Sequence, residues 1–183
     1  MTVADPDSDF IYIGVEHRDS ILEYDIELQA VTRTFYLDSY MTGPDNSGLE
    51  ALAFVPSAAS AEGGYFYAGL QATGEVFVFE LPITSSASST TVKYIKKFST
   101  RYGFDISDMY YDPTDDILYA IYDTYDKLVA MKTDGTYLNE WFLPLYNQEG
   151  FSLDDSCHVY VGEDDRPDLV PGVNTRGSVW RYK

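Results

Sequence analysis

Oxygen-bearing side chains recur at two fixed places along this 183-residue chain, and both places suit the capture of a cation. Glu50 and Glu149 open segments that are otherwise apolar, in Leu49–Val55 (LEALAFV) and Glu149–Leu153 (EGFSL). Ser107 holds the matching place in Ile106–Asp112 (ISDMYYD), with Asp105 and Asp108 nearby on either side. By alternation, Glu50, Leu52 and Phe54 share one strand face, as do Glu149, Phe151 and Leu153. A carboxylate heading an apolar face needs a cation or several donors. Ca²⁺ takes roughly six to eight oxygen ligands. Glu50, Asp105, Asp108 and Glu149 are therefore a candidate metal set. The alternative is structural: Glu50 and Glu149 accept backbone N–H bonds between adjacent repeats.

The second set is Glu16, Gln71, Asp123 and Asp164. Each closes one copy of a repeated segment: Phe10–Glu16 (FIYIGVE), Tyr65–Gln71 (YFYAGLQ), Ile117–Asp123 (ILYAIYD) and His158–Asp164 (HVYVGED). These positions are a candidate ligand-binding ring, since loops at one mouth of a repeat fold carry function. The plainer alternative is that such residues simply begin solvated turns. Tyr12, Tyr67, Tyr119 and Tyr160 occupy the third place of the four segments and are expected to pack between repeats. The run Gly162–Asp168 (GEDDRPD) is dense in carboxylates but lacks the spacing of an EF-hand, and reads as a solvated acidic loop.

Other chemistry finds little support. His17 and His158 have no Ser or Cys partner at motif spacing. Gly-rich phosphate loops, zinc motifs and the G-x-S-x-G elbow do not occur. Cys157 is the single cysteine, so no disulfide forms within the chain, and it reads as a small core residue.

The elements that must position these residues are short strands. In the third repeat, Ile106–Asp112, Ile117–Asp123, Leu128–Lys132 and Thr136–Leu143 read as strands a to d, with Asp134-Gly135 as a hairpin turn. In the second, a is Leu49–Val55, b Tyr65–Gln71, c Glu75–Leu81 and d Val92–Phe98, and the Ser/Thr-rich connection 82–91 reads as a mobile loop. The first repeat has b, then c at Ile21–Ile26 and d at Val31–Leu37, with Met1–Ala4 as a stub of strand a. The fourth has a, b and c (Val179–Lys183), separated by an insert at 165–178. Four-stranded units repeating every roughly 40–55 residues mark β-propeller blades. The expected fold is all-β: a partial propeller of about three and a half antiparallel blades, in units near 1–40, 41–100, 101–144 and 145–183. No helix is expected. An unclosed edge would invite pairing with another chain, so edge-strand self-association is expected as well.

Composition narrows the partners. Thirty acidic against 12 basic residues give a net charge of −18, which opposes nucleic acid and anionic membranes; it reads as a device for solubility, with attraction of cations such as Ca²⁺ as the alternative. No apolar run is long enough for a transmembrane helix.

Ser47–Phe54 (SGLEALAF), Asp105–Pro113 (DISDMYYDP) and Gln148–Asp154 (QEGFSLD) resemble the repeated strand starts of the SdiA-regulated family of β-propellers. Ala120–Leu128 and Ser178–Lys183 follow that family's last two blades, so the resemblance covers nearly the whole chain against the C-terminal part of the family domain. It implies a six-bladed kind of ring and kinship of fold with calcium-dependent lactonases and esterase-like phytases. From residues and resemblance together, the expected function is a binding module. It takes a small molecule or protein at the b–c loop mouth, with Ca²⁺ as candidate cofactor. The competing expectation is a calcium-dependent hydrolase of a lactone or phosphoester, with Glu50 and Glu149 on the metal. A third is a truncated propeller without independent function.

Overall fold

The computed structural model describes residues 1–44, 46–144, 147–154, 156, 158–163 and 177–182. Asp164, Cys157 and most of the acidic insert lie outside the described residues. The fold is a partial β-propeller of four antiparallel blades. Blade 1 holds β1 (Phe10–Val15), β2 (Ser20–Asp25) and β3 (Ala30–Tyr36). Blade 2 holds β4 (Leu49–Pro56), β5 (Gly64–Leu70), β6 (Glu75–Glu80) and β7 (Lys93–Ser99). Blade 3 holds β8 (Ile106–Asp112), β9 (Ile117–Tyr122), β10 (Lys127–Met131) and β11 (Tyr137–Phe142). Blade 4 holds β12 (Gln148–Leu153), β13 (Val159–Glu163) and β14 (Ser178–Tyr182). The stub of strand a is present in blade 1 as a bridge: Thr2 and Tyr12 exchange two backbone hydrogen bonds of 2.9 Å.

The sheets form because aromatic and β-branched residues alternate between tight turns. Gly135 shows why the hairpins close where they do. Its φ is +89°, and a Cβ there would lie 2.5 Å from the Phe98 ring. Only glycine accepts both the backbone and the contact. A one-turn 3₁₀ helix at Asp123–Tyr125, between β9 and β10, is the only helical element among the described residues. None of these is long and apolar enough to cross a membrane.

The core lies between blades rather than within one. Tyr12, Ile21 and Phe35 of blade 1 meet Leu52, Phe66 and Phe79 of blade 2. Ala51, Tyr67 and Val78 meet Ile106, Met109 and Tyr122 across the second gap. Ile121 and Leu128 meet Phe151 and Val161 across the third. Blades 2 and 3 thus bury both faces against their neighbours, and blades 1 and 4 one face each, the radial stacking that makes a propeller. Tyr12, Tyr67 and Tyr119 join these clusters as expected, but Tyr160 instead donates its hydroxyl to Asp154 at 3.0 Å.

Two expectations need correction. The connection 82–91 has fixed partners. Arg33 Nη1 donates to the carbonyls of Pro82 (2.8 Å), Ser86 (2.6 Å) and Ser89 (3.1 Å), and Glu62 accepts the N–H groups of Thr84 and Ser85. A hydroxyl-rich sequence loses its freedom here because a guanidinium collects its carbonyls. The shared face of Glu50, Leu52 and Phe54 is also broken, because β4 bulges between Leu49 and Ala51. Leu49 and Leu52 point into the same cluster, and Glu50 falls between them.

Candidate functional site

The same irregularity occurs at the same place in three blades. Strand pairing skips Glu50 in β4, Ser107 in β8 and Glu149 in β12. A bulge frees one residue from the ladder and re-aims its side chain. β4, β8 and β12 are the innermost strands and pack side by side. Glu50 and Glu149 are thereby turned into one cleft of about 530 Å³, lined also by Gly150, Gly162, Glu163 and Ser178. Ser107, between them in blade order, donates its hydroxyl to the Gln148 carbonyl at 2.8 Å.

The b–c turns reach forward to the next blade. Glu16 accepts the Gly48 N–H at 3.4 Å, and Asp19 of the same turn accepts the Leu49 N–H at 2.7 Å. Gln71 donates Nε2 to Asp105 at 3.3 Å and takes the Asp105 N–H on its carbonyl at 2.8 Å. Asp123 accepts the Gln148 N–H at 3.1 Å. Glu16, Gln71 and Asp123 therefore act as staples between blades, using polar atoms that the sequence offered to a ligand. Asp164, the fourth member, lies outside the described residues.

The candidate metal set divides. Glu50 and Glu149 share the cleft. Asp105 lies on its margin electrostatically, but Thr124 N–H donates to its carboxylate at 2.6 Å. Asp108 belongs elsewhere: its carboxylate accepts the N–H groups of Phe151 (2.7 Å) and Met109 (2.8 Å), and it lines a separate cavity with Met1 and Phe54. Burial raises the Asp108 carboxyl to about 6 despite those two donors. The Glu50 carboxyl rises further, to about 7, through burial first and then the charges of Glu149, Glu16, Asp105 and Asp123. Among the described residues no group of three or more His, Cys, Asp or Glu is arranged to hold a metal ion. The cleft thus offers the Glu50 and Glu149 carboxylates in a negative field, with Glu163 also on its wall but accepting from Ser178 Oγ and Trp180 Nε1, and not a closed cage.

Two polar networks escaped the sequence reading. Arg33 is buried in β3 and pairs with Glu23 through Nε at 2.8 Å and through Nη2; Tyr12 and Thr32 also donate to Glu23. Burial pushes the Glu23 carboxyl up, yet bonds from Arg33 and Thr32 outweigh it and hold it below the usual range. An arginine at the inward parity of Phe35, within VTRTF, was the available signal. The other network joins Asp154, His158 and Arg181. His158 Nδ1 lies 2.9 Å from Asp154 Oδ2, and Arg181 Nη2 lies 3.1 Å from His158 Nε2. With Nε2 accepting from a guanidinium, this histidine is occupied at both nitrogens.

No protein-family model matches the chain, and no curated protein matches it at a significant level. Among solved structures it is similar to a chain of Kuenenia stuttgartiensis hydrazine synthase, with a TM-score of 0.59 and 16% identity. The match covers 98% of this chain and 44% of that one, so the chain spans less than half its length. At this identity the likeness shows the fold alone.

Proposed function

We propose that the chain is a binding module whose acidic axial cleft takes up a cation, with Ca²⁺ as the ion of choice. One observation carries this reading: equivalent bulges turn Glu50 and Glu149 into a shared cleft, where burial first and then the neighbouring carboxylates raise Glu50 to about 7. A divalent ion would relieve that repulsion directly. Two carboxylates supply part of a Ca²⁺ shell, and water or oxygens of the bound ligand complete it. Such an open site binds weakly, in the range of roughly 10⁻⁴–10⁻³ M known for extracellular calcium modules. The resemblance to SdiA-regulated propellers supports the same reading. The hydrolase alternative gains no residue, because the His158 network sits at the far end of β13 from Glu163 and the cleft. The test is calorimetric titration with CaCl₂ beside thermal melts in calcium and in chelator. With a Kd near 1 mM, a calcium concentration of roughly 10 mM adds about 1.4 kcal/mol, a rise of about 3 °C in Tm. The rise should vanish in Glu149→Gln. An unchanged melting temperature in the unaltered protein removes the cation from the function.

A further inference from the structure

The connection between blades 2 and 3 keeps an exposed ring in a fixed place. Thr100 Oγ1 donates to the Gly74 carbonyl at 2.7 Å, and Asp105 N–H donates to the Gln71 carbonyl at 2.8 Å. Both ends of the segment 100–105 are thereby fastened to the b–c turn of blade 2. The two lie so close that a Cβ on Gly74 would stand 2.2 Å from the Tyr102 carbonyl oxygen. Phe104, within this segment, is 43% exposed. It leans on Tyr125 at a centroid distance of 5.2 Å, Tyr125 stacks on Tyr102 at 4.3 Å, and Tyr102 meets the buried Tyr122 at 5.1 Å. Tyr102 also donates its hydroxyl to Glu140 at 3.1 Å. Three tyrosines thus brace a phenyl ring that stays open to water. An exposed ring forgoes the stabilisation of burial, and a braced one has little freedom left to lose when a ligand covers it.

Beside this ring, where connections of the first three blades meet, lies a pocket of about 470 Å³ whose wall includes Ser47, Gln71, Ala72, Phe104 and Asp105. That volume suits a small ligand. Its polar groups are set in advance. Asp105 adopts φ +66°, a left-handed backbone that a residue with a side chain keeps only when its surroundings hold it. Its carboxylate accepts from Gln71 Nε2 at 3.3 Å and from Thr124 N–H at 2.6 Å. Gln71 spends one amide hydrogen on that bond. Among the described residues its side-chain carbonyl and its second amide hydrogen have no partner.

These groups define a ligand by its chemistry. A carboxamide both gives and takes a hydrogen bond, so its partner must do both as well. A hydroxyl does; an ammonium only gives. Asp105 already accepts two N–H groups and has room for single bonds from neutral donors. Carboxylates gather at this mouth, with Glu16, Asp105 and Asp123 all near enough to act on Glu50, so phosphates and carboxylates are repelled. The Phe104 face calls for a flat apolar surface.

We infer that the Phe104 pocket binds a neutral sugar. One face of the pyranose ring lays its C–H groups on Phe104, and adjacent hydroxyls bridge the Gln71 carboxamide and the Asp105 carboxylate. A sugar joins both demands in one molecule: an apolar ring face, and a rim of groups that give and take hydrogen bonds. Nothing in this site calls on Glu50 or Glu149, so it stands whether or not the axial cleft takes up a cation.

The test is saturation-transfer NMR on the intact protein in chelator, which keeps the axial cleft out of the measurement. The probes are the methyl glycosides of glucose, galactose and mannose, and N-acetylglucosamine, each up to ~50 mM to reach a millimolar Kd. At least one should show saturable transfer, strongest at protons of one ring face. Phe104→Ala should weaken that binding about fivefold or more, and Phe104→Trp should keep it or tighten it. Phe104 is exposed, so Phe104→Ala should fold normally, with Tm shifted by no more than about 2 °C. Gln71→Ala should weaken the sugar about as much as Phe104→Ala does. Adenosine and tetramethylammonium serve as comparison ligands, a flat base and a cation. The absence of saturable transfer to every sugar overturns the inference. So does sugar binding that Phe104→Ala leaves unchanged, or a comparison ligand held about tenfold more tightly than any sugar.

Discussion

Glu50→Gln is expected to stabilise the protein at pH 8 and to leave it unchanged near pH 4. The folded protein holds this carboxyl at about 7 against an ordinary 4.5. A raised carboxyl favours the fold only while it is protonated. Its contribution is complete below pH 4.5, is lost as pH rises through 7, and stays lost above. The shift corresponds to about 3 kcal/mol at roughly 1.4 kcal/mol per unit. Glu50 is partly open to solvent, which screens the repulsion and brings the expected effect to about 1–2 kcal/mol. Urea denaturation of both proteins at pH 4, 5.5, 7 and 8, in chelator, measures it. The difference between them should open between pH 4.5 and 7 and then hold constant. Calcium should narrow it again, because the ion favours the ionised pair. A variant no more stable than the unaltered protein at pH 8 would refute the claim that burial and neighbouring charge together raise the Glu50 carboxyl.

Arg33→Ala should cost about 3–5 kcal/mol in chemical denaturation, because it leaves the Glu23 carboxylate buried without its cation; pairing it with Glu23→Gln should restore a large part, and equal losses in single and double variants would count against the pair. The same substitution should raise amide exchange at Thr84 and Ser85, since the connection loses its guanidinium anchor. Asp123→Ala removes the acceptor for Gln148 N–H and should cost about 1–2 kcal/mol; a neutral result would mean that water replaces the staple. Gly135→Ala forces a side chain into φ +89° and toward the Phe98 ring, and a fall in Tm smaller than that of Asp123→Ala would contradict the close contact described between Gly135 and Phe98.

Local order was legible in the sequence, because it rests on short periods and tight turns. The strands in ILYAIYD and YFYAGLQ, the Asp134-Gly135 hairpin and the five-residue step from Asp123 to Leu128 all survive in the structure. Long-range use of the same residues was not legible. Asp123 finds its partner at Gln148 and Arg33 finds its carbonyls beyond position 81, and no local pattern announces either. The bulges were hidden for a different reason. Alternation is read by assuming a period of two, and the residue that breaks it is the one of interest: Glu50 and Glu149 were found as acids, but their direction was misjudged. Glu50 and Glu149 line one cleft while Asp108, an acid of the same charge, lines a separate cavity, a division that no spacing in the sequence marks.

The staples at the b–c turns all point the same way along the chain, from one sheet to the first strand of its successor. Under mechanical load this gives the molecule a polarity. Tension applied at the C-terminus would peel blade 4 from the Asp123 latch before disturbing Gln71 or Glu16, and rupture would proceed in a sequence of separate force peaks. Tension at the N-terminus meets the Thr2–Tyr12 bridge and the Phe54 N–H bond to the Thr2 hydroxyl, and then the deeply anchored Arg33 knot. The two ends of one continuous array should therefore yield at different forces.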